Sequence, residues 1–317
     1  MNAPHDREER LLGLLRTRLG QPHAHVLCGI GDDAAVLESP GAPIVCTVDA
    51  QVEGIHFRSG YLTSQELGRR AYMVSASDLA AMGASPYAAL LALTLPDDVT
   101  EEAVLDMCDG AALGAKEVGA PVVGGNLSGG ALLSLTMTLI GIQKGPYLRR
   151  DGAELGDQIY VTGTVGQAAL GLACLERGDT REDTLPFVER WRAPSARIRE
   201  GASLGQVASS AIDLSDGLFT DLNRLTSASC LGAVVYCERL PIHPAHHALC
   251  KRFGLDAFSM AIYGGEDYEL VFTSKNHAAA SQMGTCIGEI TEAPDGVRYL
   301  KDDGKRVALS APRYMGW

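Results

Sequence analysis

Gly29-Ile30-Gly31-Asp32-Asp33 is a glycine-rich turn carrying two carboxylates, and the run Ile44 to Asp49 after it reads as a buried strand ending in a third. The arrangement recurs down the chain. Asp78 follows Ser77, Asp213 and Asp216 flank Leu214-Ser215, and Glu266-Asp267 follow Gly264-Gly265. A carboxylate at the end of an apolar strand is costly unless it caps a helix or meets a cation. Singly, each aspartate suits an N-cap or an Asx turn, and Asp216 in particular suits the cap of the helix after it. Taken together, beside glycines and small residues, they point to hard oxygen ligands. Such ligands suit magnesium held jointly with substrate phosphates.

Working outward, Leu11, Leu12, Leu15 and Leu19 mark one face of an opening helix. Thr63-Ser64-Gln65-Glu66 is a capping box that opens a long helix carrying Asp78 and ending near Gly83. Thr100, with Glu101 and Glu102, caps another helix running to about Val118, and strands are expected at Pro121 to Gly125 and Ala131 to Ile142. Lys144-Gly145-Pro146 and the turn at 149–152 break the pattern, which sets a domain boundary between 1–145 and 146–317. Beyond it, strands are expected at Gln158–Thr162, into Asp213, at Ala233–Cys237 and at Tyr268–Phe272. Helices are expected near Gly166 and from Asp216, with a charged, proline-punctuated stretch at 176–194. Strands and helices alternate in both halves, so the class is α/β or α+β with two domains.

Composition narrows the function. The 317 residues are 46% hydrophobic and 21% charged, enough to bury a sizeable core. Asp and Glu number 39 against 27 Lys and Arg, a net charge of −12, which argues against a pervasive basic face for nucleic acid or anionic lipid. A phosphate-bearing substrate would therefore need metal ions or backbone dipoles to neutralise it. No apolar run is long enough to span a membrane, and the opening MNAPHDREER is too charged for a secretory signal. The eight cysteines are scattered without a CxxC pair, which argues for reduced thiols in a cytosolic protein and against a zinc module or disulfide framework.

The pairs Gly124-Gly125 and Gly264-Gly265 allow close backbone approach and positive φ, and such turns can present N–H groups to phosphate, with a plain tight turn as the alternative. Arg150 is a candidate phosphate clamp, with an ordinary surface arginine as the alternative. His56, just after Asp49, is the histidine nearest a suspected site, whereas His243, His246 and His247 read as a solvated helix start. The chain has no Gly-x-x-x-x-Gly-Lys-Ser/Thr loop, and Gly-Ile-Gly-Asp-Asp lacks the third glycine of a dinucleotide fingerprint.

These segments have a familiar order. Residues 29–37 (GIGDDAAVL), 48–57 (VDAQVEGIHF), 77–84 (SDLAAMGA), 213–218 (DLSDGL) and 264–270 (GGEDYEL) resemble successive motifs of the thiamine-monophosphate kinase family. The resemblance spans nearly the whole chain; several motifs are shared loosely with aminoimidazole-ribonucleotide synthetase and selenophosphate synthetase. It implies ATP-dependent phosphorylation of thiamine monophosphate by in-line transfer with several Mg2+ ions. It also implies an aminoimidazole-ribonucleotide synthetase-like fold, with an N-terminal α/β domain whose sheet pairs with its copy in a homodimer and an α+β C-terminal domain. Carried over by motif position, Asp33, Thr47, Asp49, Asp78, Asp213 and Asp216 are expected around the metals. Gly125, Asn126, Arg150 and Ser215 are expected at the nucleotide, and His56, Glu266 and Trp317 at the thiamine phosphate.

The chain departs from the family's pattern at Asn126, where an aspartate is usual, and at Ser75, where an asparagine is usual. It also reads Thr47-Val48-Asp49 in place of a Ser/Thr-Thr-Asp run and ends at Trp317, short of the usual aromatic tail. Asn126 keeps an oxygen but loses a charge, so one metal site is expected to be weaker, with a turn residue tolerating positive φ as the alternative. From the residues alone, a synthetase of the same superfamily, a two-metal phosphohydrolase and a non-catalytic metal-binding scaffold also stay open. A nucleotide pocket would separate the kinase from the hydrolase.

Overall fold

A computed structural model describes residues 4–293 and 296–307. The chain divides into two compact units. One runs to Leu79 and resumes from Ala84 to Lys144; the other takes Ala80–Gly83 and the chain from Gly145 onward.

The first unit opens with α1 (Pro4–Leu19) and a short hairpin, β1 (Val26–Cys28) and β2 (Val36–Leu37). Leu11, Leu15 and Leu19 of α1 are buried at the expected spacing, whereas Leu12 is exposed. There follow β3 (Ile44–Val52), α2 (Ser64–Ala81), β4 (Ser85–Leu95), α3 (Glu101–Val118), β5 (Val122–Gly129) and β6 (Ser134–Ile142). The sheet order is β3-β6-β4-β5, antiparallel except for the β4/β5 pair that α3 connects. Strand β4 was not foreseen. Its run Ala88–Leu93 is apolar without alternation, a pattern that a buried helix shares.

Both long helices begin as their sequences dictate. The Thr63 amide donates to Glu66 Oε2 at 2.7 Å and the Glu66 amide to Thr63 Oγ1 at 3.1 Å, so the capping box closes reciprocally ahead of α2. Thr100 accepts from the Ala103 amide, and α3 ends on left-handed Gly119. The helices pack backbone to backbone: a Cβ on Gly68 would lie 1.8 Å from the Met107 carbonyl oxygen, and one on Gly110 1.9 Å from that of Gln65. Leu91, Leu93, Leu135, Met137 and Leu139 fill the core of this unit, while Ile44 and Val48 on β3 are 58% and 60% exposed. Strand β3 thus alternates, with Val45, Thr47, Asp49 and Gln51 more buried than Ile44, Cys46 and Val48.

The second unit contains β7 (Gln158–Val161), α4 (Gln167–Glu176), α5 (Leu185–Arg192), α6 (Ile198–Leu204), β8 (Ser210–Asp213), α7 (Leu218–Ala228) and β9 (Gly232–Tyr236). It continues with α8 (His246–Phe253), α9 (Ala257–Tyr263), β10 (Leu270–Ser274), α10 (His277–Ala280), β11 (Thr285–Thr291) and β12 (Val297–Leu300). Its six-stranded sheet runs β12-β9-β11-β7-β10-β8, antiparallel except for β12/β9. Ile159, Val161, Ile212, Val235, Val271 and Ile287 of the strands meet Leu218, Leu222 and Leu225 of α7 in the core. The mixture of helices and sheets in both units matches the expected class. No helix among the described residues is long and apolar enough to cross a membrane.

Candidate functional site

In the first unit, the structure brings Thr47, Asp49 and Asp78 together. Asp49 does not close its strand as expected: β3 continues to Val52, and Asp49 sits within it opposite Met137 of β6. Its side chain shares a face with Thr47. The Thr47 hydroxyl donates to Asp78 Oδ2, across from β3 to the last turn of α2. The Asp49 carboxyl lies within hydrogen-bonding reach of both Ser75 and Asp78. Burial first, and then the neighbouring Asp78 carboxylate, push Asp49 up to about 6, against the opposing effect of the Ser75 hydroxyl. Ser75, which stands where the family usually has asparagine, is itself buried and also reaches the Met137 carbonyl.

The other candidates of this unit lie outside that hydrogen-bonded group. Asp33 is exposed on its turn, and its amide donates to Asp32 Oδ1 at 2.9 Å. His56 is half-buried in the turn after β3, and its Nδ1 accepts from the Val52 amide at 3.1 Å. An accepting Nδ1 leaves Nε2 to carry the proton of the neutral ring. Gly125 and Asn126 are strand residues of β5, opposite Leu91 and Ala92 in register, and neither has positive φ. That removes the turn reading for both. Glycine is needed at 125 because a Cβ would lie 1.8 Å from the Leu91 carbonyl oxygen. Asn126 is exposed.

In the second unit, the turns 213–216 and 264–269 are laced together at one end of the sheet. The Glu266 amide donates to the Ser215 carbonyl, the Tyr268 amide to Leu214, and the Leu214 amide to Glu269, each at 2.8 Å. Asp213 is buried at the end of β8, opposite Leu270. The glycines Gly264 and Gly265 do not take positive φ, contrary to expectation; Glu266 (φ 67°) and Tyr268 (φ 48°) do. A Cβ on Gly265 would meet the Ser215 carbonyl oxygen at 2.5 Å, so close approach explains this glycine. Asp216 does not cap α7, whose N-cap is Gly217 with no side-chain bond. Its carboxylate pairs with Arg224 instead. Its amide donates to Asp221 Oδ2 at 2.9 Å, and Arg224 donates to Asp221 Oδ1 at 2.8 Å. Burial pushes Asp221 up to about 6 despite these bonds. Arg150 is exposed, with its carbonyl accepting from Ser229. Trp317 lies outside the described residues.

Each acid of Glu266-Asp267-Tyr268-Glu269 has its own partner. Glu266 Oε2 accepts from the indole Nε1 of Trp191 at 2.6 Å. Asp267 is buried and caps α4, accepting from the amides of Ala168 (2.8 Å) and Gly166. Burial outweighs those bonds and the nearby Arg190, raising Asp267 to about 7. Glu269, also buried, pairs with Arg190 and Arg197 and accepts from Thr162 at 2.6 Å. Beside it opens a cavity of about 630 Å3 lined by Thr164, Gln167, Glu189, Arg190, Arg197 and Glu269.

Trp191 and Arg190 lie in the stretch 176–194 and Arg197 just after it, where no element or site was expected. One of only two tryptophans, set in that charged stretch, was the available signal. The sequence also placed His246 in solvent, whereas His246 is fully buried at the start of α8 with Nε2 against the Ala257 carbonyl at 2.9 Å. Among the described residues no group of three or more His, Cys, Asp or Glu side chains converges on a common point for a metal.

Residues 31–143 match the family described as AIR synthase related protein, N-terminal domain. Over 94% of its length the chain is 37% identical to 94% of the thiamine-monophosphate kinase of Escherichia coli K12. The structure resembles the crystal structure of thiamine-monophosphate kinase from Stenotrophomonas maltophilia, with a TM-score of 0.83 and 34% identity over 94% of this chain and 96% of that one. It also resembles AaThiL complexed with AMPPCP and TMP, with a TM-score of 0.79 and 31% identity over 98% and 97%. Likeness at that identity over both units, together with the acidic turns at the motif positions, has one consistent explanation: the chain belongs to the thiamine-monophosphate kinase family.

Proposed function

We propose that this protein transfers the terminal phosphoryl group of ATP directly to thiamine monophosphate, giving thiamine diphosphate and ADP, the last step of thiamine diphosphate biosynthesis. The observation that carries this reading is the Thr47–Asp49–Asp78 group, within a chain whose relative AaThiL binds the ATP analogue AMPPCP and TMP.

The group fits magnesium. Its donors are all oxygens, and two carboxyls close enough to raise one proton affinity make a site that a cation relieves. Thr47, Asp49 and Asp78 would hold such ions, and Asp33, Asp213 and Asp216 are each assigned to metal ligation by motif position. Magnesium, when bound, neutralises phosphate charge and orients the triphosphate. The remaining work is positioning. Gly125, Asn126, Arg150 and Ser215 are assigned to ATP, and His56, Glu266 and Trp317 to thiamine phosphate. Phosphoryl transfer of this kind needs no protein nucleophile, and the acceptor is the substrate's own phosphate oxygen.

Residues 1–145 are assigned to an N-terminal domain for ATP and magnesium binding and dimerisation, and 146–317 to a C-terminal domain. The exposed apolar residues Ile44 and Val48, beside Cys46 on β3, support a homodimer built on this sheet. Supply of ATP and the free thiols support a cytoplasmic location. The test is chromatography of a reaction containing ATP, thiamine monophosphate and magnesium. Thiamine diphosphate should form and should vanish with chelator. Consumption of ATP without it would overturn the reading in favour of a hydrolase.

A further inference from the structure

We propose that Trp191 is a positioning residue for substrate recognition, holding the carboxylate of Glu266 through its indole N–H; this rests on the assignment of Glu266 to the thiamine-phosphate pocket. Trp191 is 1% exposed, and its Nε1 donates to Glu266 Oε2 at 2.6 Å, a charge-assisted bond of good length. Glu266 is half-buried.

The loop around Glu266 is held in an unusual shape. Glu266 and Tyr268 both adopt left-handed φ, which residues other than glycine rarely take. Such a conformation persists only where the surroundings over-determine it, and here they do. Main-chain bonds tie Glu266 and Tyr268 to Ser215 and Leu214. Helix α4 is anchored on the same loop through the Asp267 carboxyl. Helix α5 grips it twice: Arg190 donates to the Asp267 carbonyl and Trp191 to the Glu266 side chain.

The two helices are themselves locked together. A Cβ on Gly171 of α4 would lie 2.0 Å from the Phe187 carbonyl oxygen and 3.1 Å from Trp191 Cβ. The indole therefore has one place to sit, and its N–H aims the carboxylate from a fixed point. Thiamine monophosphate carries a cationic thiazolium and an aminopyrimidine amine, both of which want an acceptor or an anion. A carboxylate already oriented loses less freedom on binding than a free one.

A buried indole also needs an acceptor for purely structural reasons, so the test must separate the two roles. Trp191→Phe removes the N–H and keeps most of the ring. Steady-state kinetics should show the KM for thiamine monophosphate rising roughly tenfold, with kcat and the KM for ATP within about twofold, as expected for loss of one charge-assisted bond. Glu266→Asp keeps the charge but withdraws it from the indole by one methylene. It should raise the same KM in the parent and add little in the Trp191→Phe background. If Trp191→Phe does not fold, the parent decides: its Trp191 indole N–H resonance should shift on adding thiamine monophosphate but not ATP, and an unshifted resonance would overturn the proposal. An unchanged KM for thiamine monophosphate, or equal shifts for both substrates, would overturn the proposal. A parent enzyme that makes no thiamine diphosphate would instead overturn the assignment of function on which it rests.

Discussion

The carboxyl of Asp49, within β3, lies in hydrogen-bonding reach of the carboxyl of Asp78, in the last turn of α2. Two acids held this close repel each other when both are ionised, and a divalent cation removes the repulsion. Asp78→Asn should therefore lower turnover by roughly a hundredfold or more while leaving the fold intact, because the amide keeps the shape and loses the charge. In chelator its melting temperature should equal or exceed that of the parent. Full turnover at saturating magnesium would remove Asp78 from the metal site.

Gly125 makes a sharper structural test. Its Cβ would press to 1.8 Å from the Leu91 carbonyl, whereas a Cβ on Gly129, four residues along the same strand, meets nothing within 4 Å. Gly125→Ala should cost roughly 2–4 kcal/mol or prevent folding, and Gly129→Ala should stay within about 0.5 kcal/mol. Urea denaturation of the two variants checks this. Equal stabilities would show that β5 moves away from β4 without penalty.

These cases also show what was legible in the sequence. The Thr63–Glu66 capping box and the Thr100 cap were, because both partners lie within three residues of each other. The acidic turns were legible as turns for the same reason. Of the two readings of the glycine pairs, close backbone approach holds at Gly125 and Gly265 and positive φ does not; the carbonyls that leave no room for a side chain belong to distant segments, at Leu91 and Ser215. The Asp216 cap failed because Arg224 and Asp221, on the helix itself, take up its carboxylate and its amide. Trp191, Arg190 and Arg197 meet Glu266 and Glu269 across 72 to 79 residues of chain, beyond any local pattern.

Asp267 carries a pH dependence. Burial holds its folded-state pKa at about 7, above the ordinary carboxylate value of 3.8. The folded protein therefore binds more protons than the unfolded chain between these values, and stability falls as pH rises through that window. From pH 6 to pH 8 the loss from this group should be about 1 kcal/mol, read as a lower melting temperature. Asp267→Asn should flatten that slope. A parent and a variant with identical pH profiles would contradict the assignment.

Asn126 marks the chain's departure from its family, and its place in β5 excludes the turn explanation. A carboxylate there adds a charge for magnesium, which binds carboxylate better than amide oxygen. Asn126→Asp should lower the magnesium midpoint of activity severalfold and slightly destabilise the metal-free protein through like-charge repulsion. A magnesium titration, paired with a melting curve in chelator, measures both. An unmoved midpoint would separate Asn126 from the metals.

Direct transfer between two phosphate-bearing substrates is tested most plainly by following a label. ATP labelled in its γ-phosphate should be incubated with purified protein, thiamine monophosphate and magnesium, and the products separated. Label should appear in the terminal phosphate of thiamine diphosphate, one for each ADP formed, and none on the protein. Label appearing as inorganic phosphate without thiamine diphosphate, or retained on a side chain, would contradict direct transfer.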